Sequence, residues 1–339
     1  MHKKYGPVVR TGPNHLAVDG FAAWPQIHNH RGGDHEEWLK VPDWLFQLQE
    51  YTLIGASTED HRRMRRLIGF AFTDTELKRQ EATIHKYVNS LMNRFSEHAA
   101  RGKSLNIGAY FNFFAFDTIS DLTFSNCLGS LEKEEFHPWV KSVLEGGPGV
   151  GAYRCCKGLN SIFPIYFFIQ LFGMGSSIAA TNSDGALAVT MTEERLAKSS
   201  DEKADMRDFV GYMEKKGESK GSMTPFEIML NCPTIIFAGS ETTASVLTAG
   251  MFYLDGYPQV RDMLKEEVRS SFASEEDINL RSVNKLPYLA AVLDETMRLY
   301  PPGAEITPRM SPGAMIDGHW VPKGVSISLK PPFLPVSSV

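Results

Sequence analysis

Apolar residues recur at three- and four-residue steps from Glu59 to about Phe136: Leu67, Phe70 and Ala71, then Leu77, Ile84, Val88, Leu91, Met92 and Phe95. That period predicts amphipathic helices with one face turned inward. Residues 107–124 are aromatic or aliphatic nearly all round, which predicts a buried helix. A second long apolar helix is predicted over 224–255. Pro233 lies inside it, and an interior proline costs roughly 3 kcal/mol or kinks a helix, unless the helix starts at about Pro233. Pro258 sits where a helix begins, Arg261 to Phe272 is amphipathic and charged, and Leu286 to Tyr300 reads as a further helix stopped by Pro301-Pro302.

Strand patterns lie near both ends. Val8-Val9-Arg10, the turn Thr11-Gly12-Pro13-Asn14 and His15-Leu16-Ala17-Val18 read as strand, turn, strand. Met315 to Leu329 reads as a hairpin, with Ile316-Asp317-Gly318-His319-Trp320 as one arm and Val325-Ser326-Ile327-Ser328 as the other. Gly32-Gly33-Asp34 marks a loop, and the Gly and Ser of 145–185 predict short or loose helices. Residues 199–222 are charged and end in Lys216-Gly217-Glu218-Ser219-Lys220-Gly221, an expected exposed loop. The pattern predicts a mainly α fold with small β elements near both ends, in one domain over 1–339. Its parts are a mixed segment 1–58, a helical core 59–302, a partial β segment 303–330 and a tail 331–339 that follows no packing pattern.

Composition narrows the class without choosing a function. The chain is 42% hydrophobic and 22% charged, enough apolar material for a sizeable core. A net charge of −5 gives no electrostatic reason to expect a nucleic-acid partner. Cys127, Cys155, Cys156 and Cys232 form no C-x-x-C pair, which fits a reducing compartment. The start, Met1-His2-Lys3-Lys4-Tyr5-Gly6-Pro7, has no apolar secretory core. The longest apolar run, Ile162–Ile169, is far short of the roughly 20 residues of a spanning helix. Membrane contact through Ile162–Phe172 is expected to be weak at most.

Three segments carry chemistry. In Ile235-Ile236-Phe237-Ala238-Gly239-Ser240-Glu241-Thr242-Thr243 a polar cluster interrupts an apolar helix. Glycine there permits close approach to the backbone, and a carboxylate beside a hydroxyl can relay a proton; hydroxyls bonded to the preceding turn are the plainer reading. Glu295 and Arg298, at i and i+3, share a helix face and can pair, with partial burial suggested by Leu293, Met297 and Leu299. Asp60-His61-Arg62-Arg63-Met64-Arg65-Arg66 puts His61 and Arg65 on one face and Arg62, Arg63 and Arg66 elsewhere, a local anion site or a solvated basic face. His28, His30, His35 and Glu36 could also hold a metal, although histidines in a polar, Gly-rich loop are more often just solvated.

The order and separation of His61-x-x-x-Arg65, Ala238-Gly239-Ser240-Glu241-Thr242-Thr243, Glu295-x-x-Arg298 with Pro301-Pro302, and Pro308-Arg309 resemble the cytochrome P450 haem-thiolate monooxygenases. Lys4–Arg10, Asn112–Asp117 and Met223-Thr224 extend the resemblance through nearly all of the chain, closest to fungal microsomal members acting on secondary metabolites. The resemblance implies a haem b cofactor, electrons from NADPH through NADPH–cytochrome P450 reductase, a lipophilic substrate such as a terpenoid or polyketide, and the endoplasmic reticulum membrane. It implies that His61, Arg65 and Arg309 bind haem propionates and that Ala238 and Gly239 line the distal haem face. Glu241 and Thr242 would manage protons, Glu295 and Arg298 would lock the proximal core, and Phe237 and Ile306 would face substrate. Arg62, Arg63 and Arg66 would help dock the reductase.

The family's axial cysteine, in a Phe-x-x-Gly-x-Arg-x-Cys-x-Gly loop, has no counterpart after Cys232. The resemblance fades after Val321–Ile327, and no membrane anchor precedes Lys3. The expectation is a chain short at both ends, lacking the haem-thiolate segment and inactive in this form. A non-catalytic relative that binds small molecules through its helices is the other reading.

Overall fold

The computed structural model describes residues 2–29, 36–41, 49–138, 140–141, 189–198, 208–214, 221–303 and 307–330. The expected loose helices of 145–185, the loop at Gly32–Asp34, the run Ile162–Phe172, Ile306 and the tail 331–339 lie outside the described residues.

A β layer joins the two ends of the chain. Strands β1 (Val8–Gly12) and β2 (His15–Asp19) form the expected antiparallel hairpin, followed by helix α1 (Gly20–Ile27) and the short strand β3 (Leu39–Lys40). The helical part comprises α2 (Thr58–Gly69), α3 (Asp74–Ala100), α4 (Ile107–Phe124), α5 (Phe209–Glu214), α6 (Pro225–Gly256), α7 (Pro258–Ser271) and α8 (Pro287–Leu299), with residues 189–197 also helical. Strands β4 (Arg309–Met310), β5 (Ala314–Ile316), β6 (His319–Val321) and β7 (Ser326–Lys330) complete it. The larger sheet has the order β1-β2-β7-β4-β3, with β7 parallel to β2, and buries Val18, Ile327 and Leu329 against Ala23 and Ile27 of α1.

Local chemistry fixes the helix starts. Ser57 accepts from the Asp60 amide at the head of α2, and Asn106 accepts from the Ala109 amide at the head of α4. At α6, Thr224 and Glu227 form a capping box, and Pro225 takes the first helical position, as Pro258 and Pro287 do in α7 and α8. These caps leave Pro233 in the helix interior: α6 starts at Pro225 rather than Pro233 and runs through it.

Helix α4 is the buried centre predicted over 107–124, with Tyr110, Phe111, Asn112, Phe113, Phe116 and Phe124 all buried. It packs along α6 at two narrow points. A Cβ on Gly108 would lie 3.4 Å from Thr248 Cγ2, and a Cβ on Gly239 would lie 2.7 Å from Ile119 Cγ1. Among the described residues α6 is the one helix long and apolar enough to cross a membrane, but here it packs against α4, α7 and α8.

Two expectations are corrected. Within 199–222, Phe209, Val210, Tyr212 and Met213 bury one short helix in the core beside α2 and α6, while residues 199–207 and 215–220, with most of the expected loop, lie outside the described residues. Asp208, at its head, makes a buried ion pair with Arg195 at 2.6 Å and accepts from Gly211 N. The hairpin over 315–329 is also different. Asp317 and Gly318 have φ of 45° and 78°, which makes a tight turn inside the predicted first arm and pairs β5 with β6. The predicted second arm, β7, pairs instead with β2 and β4.

Gly239→Val is expected to destabilise the chain by roughly 1–3 kcal/mol, the usual range for overpacking. Adding Ile119→Ala should recover part of that loss, because the two positions share one contact. Urea denaturation of the single and double variants measures both effects; additive losses would place the clash elsewhere.

Candidate functional site

The polar segment of α6 sends its side chains to different places. Ser240 and Thr248 donate to the carbonyls of Ile236 and Ala244, and Thr242 Oγ1 donates to Ala238 O at 2.5 Å. This is the i−4 back-bonding of hydroxyls inside a helix. Phe237, Ala238 and Thr242 are exposed along α6. Gly239 is not open in the same way, because the group that approaches it is Ile119 of α4. Glu241 turns toward α4, where Asn112 Nδ2 donates to its Oε2 at 2.8 Å. Burial raises the Glu241 carboxyl above its ordinary range, outweighing the Asn112 bond. The two lie on a cavity of about 410 Å3, also lined by Gly108, Thr248, Phe252 and Tyr300.

A second cluster forms where β3, β4 and the start of α2 meet. Lys40 and Arg309 are cross-strand partners. Lys40 Nζ donates to the carbonyls of Leu53 and Ala56, just before the Ser57 cap of α2. Burial and then Arg309 push Lys40 down to about 8, and the same two causes push His28 down to about 4. His61 is lowered by burial, then by Lys40, Arg65, Arg309 and Arg62. Burial also lowers Arg309, with Glu37 opposing, and its Nε is buried without a hydrogen-bond partner. Basic groups from four elements therefore face one another with too little negative charge among them. Such an arrangement can accommodate an anion.

Arg63 is not available for docking a partner. It pairs with Glu227 of the α6 capping box and with Asp60, tying α2 to α6. Arg62 pairs with Glu37 yet stays mostly exposed, as does Arg66. Glu295 and Arg298 form a two-bonded pair, with both bonds at 2.6 Å. Each strengthens the ionised state of the other; Glu295 is exposed and Arg298 is partly buried. Around it Phe252, Met263, Leu293, Met297 and Tyr300 are exposed on α6, α7 and the end of α8.

A sequence profile of the family Cytochrome P450 matches residues 1–333. The chain belongs to the cytochrome P450 family. It is 34% identical over 335 residues to the cytochrome P450 monooxygenase astJ of Aspergillus oryzae, covering 97% of this chain and 65% of that one. It is 33% identical to the trichothecene C-15 hydroxylase of Fusarium sporotrichioides, covering 96% and 66%, and 33% identical to the averantin hydroxylase of Dothistroma septosporum, covering 97% and 61%. The chain thus spans somewhat under two thirds of the length of these relatives.

A P450 implies haem, and the residues present fit it. The carboxylates of the porphyrin would supply the negative charge missing among Lys40, His61 and Arg309, and would give the orphaned Arg309 Nε an acceptor. The described cysteines do not offer an iron ligand on α6's exposed face. Cys232 is fully buried in the core, its thiol pushed up to about 12 by burial, and Cys127 is exposed beyond α4. Of the alternative metal cluster, His30 and His35 lie outside the described residues, His28 stacks on Trp24, and Glu36 pairs with Lys323.

Sequence reading missed Lys40 and Asn231, named His28 only as a possible metal ligand, and gave Asn112 no role beyond the resemblance. Asn112 had a signal, as a lone amide in an aromatic run. Asn231, fully buried, accepts from Leu53 N and donates to Tyr51 O, fastening the Lys40-bound loop to α6. Nothing in sequence spacing points to that contact.

His28 gives a pH test. Its protonation is disfavoured in the fold, so the penalty is full below about pH 4 and gone above its ordinary value of 6.5. Stability should rise with pH across that window. His28→Phe, which keeps an aromatic ring on Trp24, should flatten that rise by about 1 kcal/mol after solvent screening. Denaturation midpoints at a series of pH values check it; parallel curves would contradict it.

Proposed function

We propose that this chain forms the larger part of a haem-dependent monooxygenase that hydroxylates a lipophilic small molecule, such as a terpenoid or polyketide, in fungal secondary metabolism. The observation that carries this reading is the anion-poor cluster of Lys40, His61 and Arg309, set in a chain of the P450 family. The names of two relatives, a trichothecene hydroxylase and an averantin hydroxylase, support a hydroxylation.

In this reading His61, Arg65 and Arg309, joined by Lys40, hold the two porphyrin carboxylates. Haem, when bound, supplies the activation of dioxygen that no side chain can provide. The exposed Ala238 would leave room for the porphyrin, with Gly239 keeping α6 close to α4. Thr242 presents a hydroxyl on the same turn as Ala238, and Glu241, its carboxyl raised by burial, manages protons nearby. Phe237 and Ile306 border the substrate. Glu295 and Arg298 hold each other in register at the end of α8 for packing in the proximal core. Electrons come from NADPH through NADPH–cytochrome P450 reductase, whose acidic face meets the exposed Arg62 and Arg66. The endoplasmic reticulum membrane is the proposed location.

No cysteine follows Cys232 within these residues, so this stretch by itself brings no thiolate from the family's usual position. Expressed alone, it should bind hemin through its carboxylates and show no cysteinate-type band in the reduced carbon-monoxide difference spectrum. His61→Ala and Arg309→Ala should each weaken hemin binding about 10- to 100-fold, the worth of a charge-assisted bond. Neither should alter binding of hemin dimethyl ester. Equal losses for both ligands would remove the proposed carboxylate role. Failure of hemin to bind at all would favour a non-catalytic, small-molecule-binding chain.

A further inference from the structure

The Asn112–Glu241 contact has a property that the family signature does not supply. Asn112 is 6% exposed, on the face of α4 against α6. Its Nδ2 donates to Glu241 Oε2 at 2.8 Å, while its Oδ1 is buried and receives no hydrogen bond. An ionised carboxylate only accepts, so it satisfies the amide's N–H and leaves the carbonyl oxygen unmet. A protonated Glu241 satisfies both. One of its oxygens would accept from Nδ2, and the hydroxyl on the other would donate to Oδ1, closing a ring of two hydrogen bonds between acid and amide.

We propose that Asn112 holds Glu241 as a neutral carboxylic acid in this ring, which makes Asn112 a positioning residue and Glu241 a proton store beside α6's exposed face. The surroundings agree. Glu241 makes no ion pair among the described residues, so no cation stabilises its charge. Its burial favours the neutral form, and the other titratable groups lining the cavity are the phenols of Tyr253 and Tyr300. Glu241, Ser245, Thr248 and Phe252 fall on one face of α6, so two hydroxyl side chains continue the polar file away from the acid. Thr242, one residue on, points elsewhere, with its hydroxyl on the Ala238 carbonyl. Glu241 therefore reaches the exposed face only by leaving the ring, and leaving it orphans both polar atoms of Asn112. Proton release is thereby tied to a side-chain rotation. The use of the stored proton rests on the monooxygenase reading; the protonation state does not.

The test is made on the haem-free chain, so a failure of hemin to bind leaves it intact. Infrared difference spectra between wild type and Glu241→Gln near neutral pH should contain a neutral-carboxyl C=O stretch belonging to Glu241. In Asn112→Leu that stretch should move to higher frequency, because the hydrogen bonds to the acid are gone. Absence of a Glu241-dependent neutral-acid band, or an unchanged frequency in Asn112→Leu, would overturn the proposal. Should Asn112→Leu fail to fold, stability supplies the second reading. A glutamine at 241 makes the same two bonds as the neutral acid, so Glu241→Gln should match wild type at pH values below the ordinary glutamate value of 4.5. The raised carboxyl loses stability as pH rises through its folded value, so Glu241→Gln should become the more stable chain above that point. A Glu241→Gln chain less stable than wild type at every pH would mean that the carboxylate, not the acid, is the bound form.

Discussion

The close crossing of α4 and α6 governs the rest of the helical structure. It depends on absent side chains: Gly108 admits Thr248, and Gly239 admits Ile119. Once the two helices approach so closely, the rotation of α6 about its axis is fixed. That rotation sends Glu241 to Asn112, leaves Ala238 and Thr242 open, and sinks Ile236 and Cys232 into the core with Phe116 and Met64. A helix with polar residues on several sides becomes a divider, with a packed core on one side and a chemical face on another. The glycine of the family signature thus has a packing duty at least as clear as any ligand contact.

Electrostatics sets a second constraint. Lys40 and Arg309 are 269 residues apart in the chain, yet adjacent strands hold them side by side, and His61 joins them from α2. Concentrating positive charge in a half-buried place is costly without an anion. The fold tolerates it by tethering Lys40 to the Leu53 and Ala56 carbonyls and by fastening that loop to α6 through Asn231. A ligand with two carboxylates would relieve the repulsion and stabilise the folded state by mass action. The same tether couples the segment that holds Lys40 to α6.

Much of this was legible in the chain. Helices α3, α4, α7 and α8 follow from three- and four-residue periodicity, and α4's all-round apolar surface correctly indicated a buried centre. The basic motif and the polar turn of α6 marked the two segments on which the proposed site rests. What escaped was set by long-range pairing or by competing local signals. Strand β7 alternates like a hairpin arm, but an Asp317-Gly318 turn closes β5 on β6 first and frees β7 for β2. Helix α5 hides in a charged stretch because only four of its residues are buried. Lys40 and Asn231 show no motif, since their roles arise from where distant segments meet. Glu295 and Arg298 pair as expected, with Arg298 partly buried and Glu295 exposed.

The central claim is that the basic cluster and the open face of α6 form one site for a dicarboxylate haem. Hydrogen–deuterium exchange of the chain with and without hemin tests it most directly. The account predicts slower exchange on binding at 49–61, at Arg309 and Met310, and along 237–242, with the far end of α3 unchanged. Protection confined to other surfaces, or spread evenly over the chain, would contradict it.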